Sequence, residues 1–214
     1  MQDVKMFLSS EPISPTIDEI KQALNVAYYV PEIHNPDQKN VPDAYSIPFS
    51  TASVLLALLD TPDNGIQVLL TQRSEQLRHH PGQISFPGGK MDDEDNNVIH
   101  TALREAEEEV GLKAKNIQVI GQLGDYFTTS GFCVSPVVAQ ITNHKPMIIC
   151  YEEVQSVHWV PLDYLLNPAN FRFTEKVIDN KRRGFFEIHY QDLHIWGVTA
   201  GIIYGLYAAL TSKQ

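Results

Sequence analysis

Four carboxylates fall within five residues at Glu105, Glu107, Glu108 and Glu109, and a Gly-rich turn, Phe86-Pro87-Gly88-Gly89, precedes them. Between that turn and Gly111, a natural helix stop, the apolar residues Ile99, Leu103, Ala106 and Val110 recur at three- and four-residue steps. That period predicts a helix from about Asn97 to Val110. At roughly 100° per residue, the four apolar side chains form one buried stripe. Glu105, Glu108 and Glu109 share another face, and Glu107 points elsewhere. Like charges at i, i+4 cost about 0.2–0.5 kcal/mol per pair, so something should offset them. A hard divalent cation with oxygen ligands, such as Mg²⁺, would do so. A solvated acidic face, helped by Arg104 at i, i+4 from Glu108, is the simpler account if the helix is taken alone.

The surrounding elements must hold this helix in place. Residues 1–48 read as an N-terminal extension packed on a single domain, 49–214. Thr16-x-x-Glu19 opens a short helix with Ile17, Ile20 and Leu24 on one side, and Pro31 to Pro48 reads as an irregular linker. Ala52 to Leu59 is a continuous apolar strand buried on both faces. Turn residues 60–65 join it to a strand at Ile66 to Thr71, which predicts a hairpin. Arg73, Arg78, His79 and His80 form a basic stretch suited to a surface or to substrate contact. Ile84 to Phe86 is a short strand leading into the Gly-rich turn. Ile117 to Leu123 and Val134 to Ile141 are further strands, separated by a small polar segment, 124–131, that lines a pocket or is plain loop. Glu152-Glu153 precede a strand at Ser156 to Val160 and a helix start at Pro161. Lys181 to Gly184 reads as a basic turn, Phe185 to Tyr190 and His194 to Trp196 as strands, and Val198 to Leu210 as a buried last helix.

The 214 residues carry 43% apolar and 20% charged residues and a net charge of −10. This fits a globular chain with an adequate core and argues against general nucleic-acid or anionic-membrane binding. The apolar run from Trp196 to Leu210 is too short to span a bilayer. No signal-peptide pattern opens the chain, and Cys133 and Cys150 lack metal-ligand spacing and read as free thiols. A cytoplasmic location is the default expectation, and a homodimer is compatible with the sequence.

Arg104-Glu105-Ala106-Glu107-Glu108-Glu109-Val110-Gly111-Leu112 resembles the second half of the Nudix box, Gly-x5-Glu-x7-Arg-Glu-U-x-Glu-Glu-x-Gly-U, where U is apolar. The first half departs: counted from Gly89, the Glu position holds Asp95, and eight residues rather than seven separate it from Arg104. Leu69-Leu70-Thr71-Gln72-Arg73-Ser74, with Arg78, Gly82 and Phe86-Pro87-Gly88-Gly89, is similar to the signature of the coenzyme A pyrophosphatase branch. The two motifs span about a fifth of the chain.

The resemblance implies an α/β fold, the Nudix α/β/α sandwich with a mixed β-sheet between helices. It implies Mg²⁺- or Mn²⁺-dependent hydrolysis of the diphosphate of coenzyme A or acyl-CoA, giving 3′,5′-ADP and 4′-phosphopantetheine or its acyl form. Glu105 and Glu109, then Glu108, are the implied ligands, and Arg104 the residue that orients them. Gly88 and Gly89 would let a backbone carbonyl join the metal shell. Glu153, or Glu152, would serve as base or extra ligand. Arg73 and Arg78 would contact substrate phosphate. A Nudix hydrolase of ADP-ribose, NADH, a dinucleotide or a nucleoside triphosphate remains an alternative, as does a non-catalytic binding module.

Overall fold

In the computed structural model, which describes residues 11–26, 48–178 and 180–211, the apolar run after Ser50 becomes the central strand of a mixed sheet. β1 (Ser50–Thr61) forms a hairpin with β2 (Gly65–Arg73), paired from Leu58↔Val68 to Thr61↔Gly65. Beyond Leu58 the two strands part, and residues 83–91 fill the gap. There β3 (Ile84–Ser85) pairs with Thr71 and Gln72 of β2, and β4 (Gly88–Lys90) pairs with Ala52 to Val54 of β1. Leu55 N donates to Pro87 O at 2.8 Å and Arg73 N to Gln83 O at 2.9 Å. Pro87-Gly88-Gly89, expected as a turn, is thus hydrogen-bonded into the middle of the sheet. Gly88 is required there, because a Cβ would overlap Ser53 O and lie 2.7 Å from Val54 Cα.

β7 (Phe132–Ile141) runs parallel to β1, from Ser50↔Phe132 to Leu58↔Gln140. Antiparallel β5 (Ile117–Gln122) and β6 (Tyr126–Phe127) line its far side, and β8 (Val154–Pro161) pairs along the free edge of β2. Alternation along the strands then divides the core. Leu55, Ala57, Leu69, Val137 and Ala139 face α2 (Val98–Val110), which meets them with Ala102, Ala106 and Val110. Leu56, Leu58, Val68, Leu70 and Val138 face the opposite layer. That layer combines α1 (Ile17–Val26), α4 (Val198–Thr211) and an antiparallel sheet of β9 (Phe171–Ile178), β10 (Lys181–Tyr190) and β11 (Leu193–Trp196). The expected sandwich is present, with its second layer shared between helices and a small sheet.

The Thr16–Glu19 capping box forms: Thr16 N donates to Glu19 Oε2 at 2.8 Å and Glu19 N to Thr16 Oγ1 at 3.2 Å. Ile20 and Leu24 are buried as its period required. Most of the expected linker, 31–47, lies outside the described residues. Two expectations need correcting. β9 was not foreseen, and Lys181 to Gly184 is not a turn but the first part of β10; the reversal falls at Asn180, whose φ of 60° is the left-handed geometry that Asn tolerates. The helix expected at Pro161 is one short turn, α3 (Leu162–Leu165). Among the described residues, no helix is long and apolar enough to cross a membrane.

Candidate active site

Capping fixes both ends of α2. Asn97 Oδ1 accepts from His100 N at 2.9 Å, and Gly111, at φ 71°, ends the helix with Leu112 N donating to Ala106 O. The last turn is also held from outside, since Ile148 N donates to Val110 O and Cys150 N to Glu109 O, each at 2.9 Å. A Cβ on Gly111 would come within 2.8 Å of Ile148 Cβ, so glycine admits this loop as well as the left-handed turn. The loop continues to Glu153, whose carbonyl accepts from Ser74 N at 2.8 Å. Backbone bonds therefore bring the end of β2, the Glu153 loop and the acidic helix to one place.

Arg104 ties the start of this assembly together. Its Nε and Nη2 reach Asp95 at 2.9–3.3 Å, its Nη1 lies 2.9 Å from Glu108 Oε2 and 3.0 Å from Glu105 Oε1, and Nη2 donates to Lys90 O at 3.2 Å. The hydrogen bonds from Arg104 hold the Asp95 carboxyl well below its ordinary range. Asp95 also accepts from Asp92 N at 3.0 Å, closing the turn before α2. Although the box spacing is shifted by one residue, the shorter Asp side chain still meets the arginine from within that turn.

Glu109 is the unusual group. Its side chain is 3% exposed, and burial pushes its carboxyl up to about 8. Arg73, with Nη1 4.0 Å from Oε1, pulls the other way, while Glu105 and Glu153 push it further up. Glu105 is also raised, chiefly by burial. Its carboxylate lies directly over Gly89, where a Cβ would overlap it. Glu109 Oε2 is buried with no hydrogen-bond partner. An unsatisfied buried carboxylate oxygen costs at least about 1–3 kcal/mol, so this oxygen is ready for a ligand. Glu105, Glu109 and Glu153 are near enough to feel one another's charge, and a donor set of oxygen only suits Mg²⁺ or Mn²⁺ rather than softer ions. The residues present therefore fit a hard divalent cation.

The other candidate residues are distributed around this centre. Glu108 is 57% exposed and engaged with Arg104, and Glu107 is exposed away from the cluster. Arg73 stands beside Glu109, whereas Arg78 is exposed in the loop after β2 and has no ion pair with the described residues. Glu152 and Glu153 are both exposed, but only the charge of Glu153 is felt at Glu105 and Glu109. His79 and His80 are exposed, and Cys133 and Cys150 are free thiols. The structure adds a polar line next to Gly89. Ser53 pairs with Gly89 on one side and Ser135 on the other. Ser53 Oγ donates to Ser135 O at 2.8 Å, and Ser135 Oγ to Asp125 Oδ1 at 2.6 Å. Sequence reasoning missed it because lone serines inside apolar strands carry no local signal; their alternation with Leu55 and Val137 was the available hint.

Residues 50–180 match the NUDIX domain family. A protein of Yersinia enterocolitica named as an uncharacterized Nudix hydrolase, NudL, is 36% identical over 166 residues, covering 78% of this chain and 84% of its own. Its namesake from Escherichia fergusonii is 40% identical over 158 residues, covering 71% and 78%. Among solved structures, a MutT/nudix family protein from Enterococcus faecalis superposes with a TM-score of 0.47 at 18% identity, covering 91% of this chain and 73% of the other.

Proposed function

The chain belongs to the Nudix family and is a Nudix hydrolase of a nucleoside diphosphate derivative; from that premise we propose that its substrate is coenzyme A or an acyl-CoA. Water would add across the P–O–P bridge, giving 3′,5′-ADP and 4′-phosphopantetheine or its acyl form. The observation that carries the site assignment is the buried, unpartnered Oε2 of Glu109 beside Glu105 and Arg73. Glu109 and Glu105 would hold the cation, with Glu108 at the edge of the set. When bound there, Mg²⁺ or Mn²⁺ supplies charge neutralisation to the diphosphate and acidity to water.

The chain's own groups supply the rest. Arg104 fixes the carboxylates of Glu105 and Glu108 through a fork anchored on Asp95. The missing side chain at Gly88 lets β4 seat against Ser53 and Val54, and that at Gly89 lets the Glu105 carboxylate lie against the backbone. Glu153, exposed and close enough to influence both buried glutamates, takes the proton from the attacking water. Arg73, beside Glu109, and Arg78, in the exposed loop after β2, would offer forked, charge-assisted donors to phosphate. We further propose a cytoplasmic location.

Turnover of coenzyme A, ADP-ribose, NADH and a dinucleoside polyphosphate with Mg²⁺ or Mn²⁺ tests this. The expected result is the highest kcat/KM for coenzyme A. Replacing Arg73 or Arg78 by Ala should lower it roughly 10- to 150-fold, the equivalent of a charged hydrogen bond of about 1.5–3 kcal/mol. Preference for ADP-ribose would refute the coenzyme A assignment. An arginine variant whose melting temperature falls in step with its activity would reveal a structural arginine instead.

A further inference from the structure

We infer that the small sheet carries a second, chemically different metal site, formed by Glu187, His189 and His194, for a transition-metal ion such as Zn²⁺. His189 and His194 are directly opposed across the β10–β11 hairpin, and Glu187 lies two residues away along β10 on the same face. One ligand atom from each of the three lies within 4.8 Å of the other two. Nε2 of His194 is already 2.9 Å from Glu187 Oε2, and the two imidazoles stack at 4.5 Å with 6° between their planes. Bond lengths of about 2.0–2.2 Å around a tetrahedral Zn²⁺ place its donor atoms roughly 3.4 Å apart. To reach that spacing the two imidazoles must turn out of their stack so that a nitrogen of each faces Glu187 Oε2.

The backbone beneath is well suited to hold such a site. Ile188 and Ile195, the opposed pair between these residues, have no exposed surface and anchor both strands in the core. Thr174 Oγ1, from β9, donates to Glu187 Oε1 at 2.6 Å and leaves Oε2 turned toward the histidines. Metal-binding carboxylates are oriented by hydrogen bonds of this kind. Tyr164 Oη donates to His189 O at 2.6 Å, and Trp196 packs beside His194. Two imidazoles and one carboxylate favour a transition-metal ion such as Zn²⁺, Fe²⁺, Cu²⁺ or Ni²⁺, whereas the all-carboxylate set on α2 favours Mg²⁺ or Mn²⁺. Three protein ligands leave a coordination position open to water or an exchangeable ligand. The bound ion would fasten the hairpin to β9 through Glu187 and Thr174, whatever the identity of the diphosphate substrate.

Imidazole ¹H–¹⁵N spectra of the full chain, stripped of metal and titrated with Zn²⁺ at about pH 7.5, above the ordinary histidine pKa, test the site directly. The signals of His189 and His194 should move together and stop at a single equivalent, while millimolar Mg²⁺ leaves them in place. His189→Ala and His194→Ala should each weaken this Zn²⁺ binding by at least about tenfold, and Thr174→Val by about tenfold, the effect of losing an orienting partner. Mg²⁺-dependent turnover should stay unchanged in all three. Zn²⁺ that moves only other histidines, or that binds the double alanine variant as tightly as the wild type, overturns the site and leaves only the His194–Glu187 hydrogen bond. The titration of the unsubstituted chain distinguishes these outcomes even if a variant fails to fold.

Discussion

Glu109→Gln should make the metal-free protein more stable while disabling the enzyme. Burial, reinforced by Glu105 and Glu153, raises the Glu109 carboxyl from 4.5 to about 8. The folded chain thus holds this proton more tightly than the unfolded chain. Its contribution to stability is fully present below about pH 4.5 and is lost as pH rises through about 8. At 1.36 kcal/mol per pKa unit, the metal-free fold loses about 3 kcal/mol by pH 7 and roughly 4 by pH 8. Glutamine cannot ionise and escapes this loss. In a chain of this size, 1 kcal/mol corresponds to about 2–4 °C in Tm. The raised value already includes the attraction to Arg73, so the variant should melt roughly 8–16 °C above the wild type near pH 8 in EDTA, with little difference near pH 5. Mg²⁺ should then raise the wild-type Tm by mass action and leave the variant almost unmoved, while turnover of the variant falls at least ~10²-fold. Calorimetry across this pH range, with EDTA and then with Mg²⁺, measures each part. A variant that melts below the wild type at pH 8 in EDTA would show that Glu109 is stabilised by its surroundings as an anion, and the account of a charge held ready for a cation would be wrong.

Glu153→Gln should lower kcat with little change in Mg²⁺ affinity, and Glu152→Gln should do neither; full kcat in both variants would remove the proton-acceptor role from this loop. Glu107→Gln, on the exposed side of α2, should leave activity near normal, and a loss equal to that of Glu109→Gln would break the division of faces. Gly88→Ala forces a Cβ against Ser53 O and Val54, so chemical denaturation should register a destabilisation of at least about 1–3 kcal/mol. Wild-type stability in that variant would mean that β4 is not seated between the strands as described.

The acidic helix was readable because everything that defines it is local. Its cap, its apolar period and its glycine stop lie within a few turns, and α2 begins and ends where those signals put it. The central strands were likewise announced by continuous apolar runs and turn residues. What escaped the sequence depends on distant neighbours. The seating of Gly88 between β1 and β2 is set by where those strands part, which no local pattern records. The partnership of Asp95 with Arg104 was obscured by a box one residue out of step, and only the turn geometry reveals that the shorter side chain reaches. β9 begins after a short 3-10 turn at Pro168–Asn170, and its basic partner strand reads like solvent-facing loop. The different weights of Glu108 and Glu109 also follow from burial, since spacing alone places both on one face.

The pairing of β8 with β2 also sets a timetable for the growing chain. Ser156 bonds to Gln72 across 84 residues, and Ser53 to Ser135 across 82. At about 5–20 residues per second of synthesis, the outer edge of β2 waits roughly 4–17 s for its partner. During that interval the acidic helix segment has been synthesised, but the loop that braces its last turn and carries Glu153 has not been made. A hairpin edge exposed for seconds invites pairing with another chain or capture by a chaperone. Because the strand that seals that edge directly follows Glu153, a nascent chain cannot have Glu153 in place beside the acidic helix while its sheet is still open.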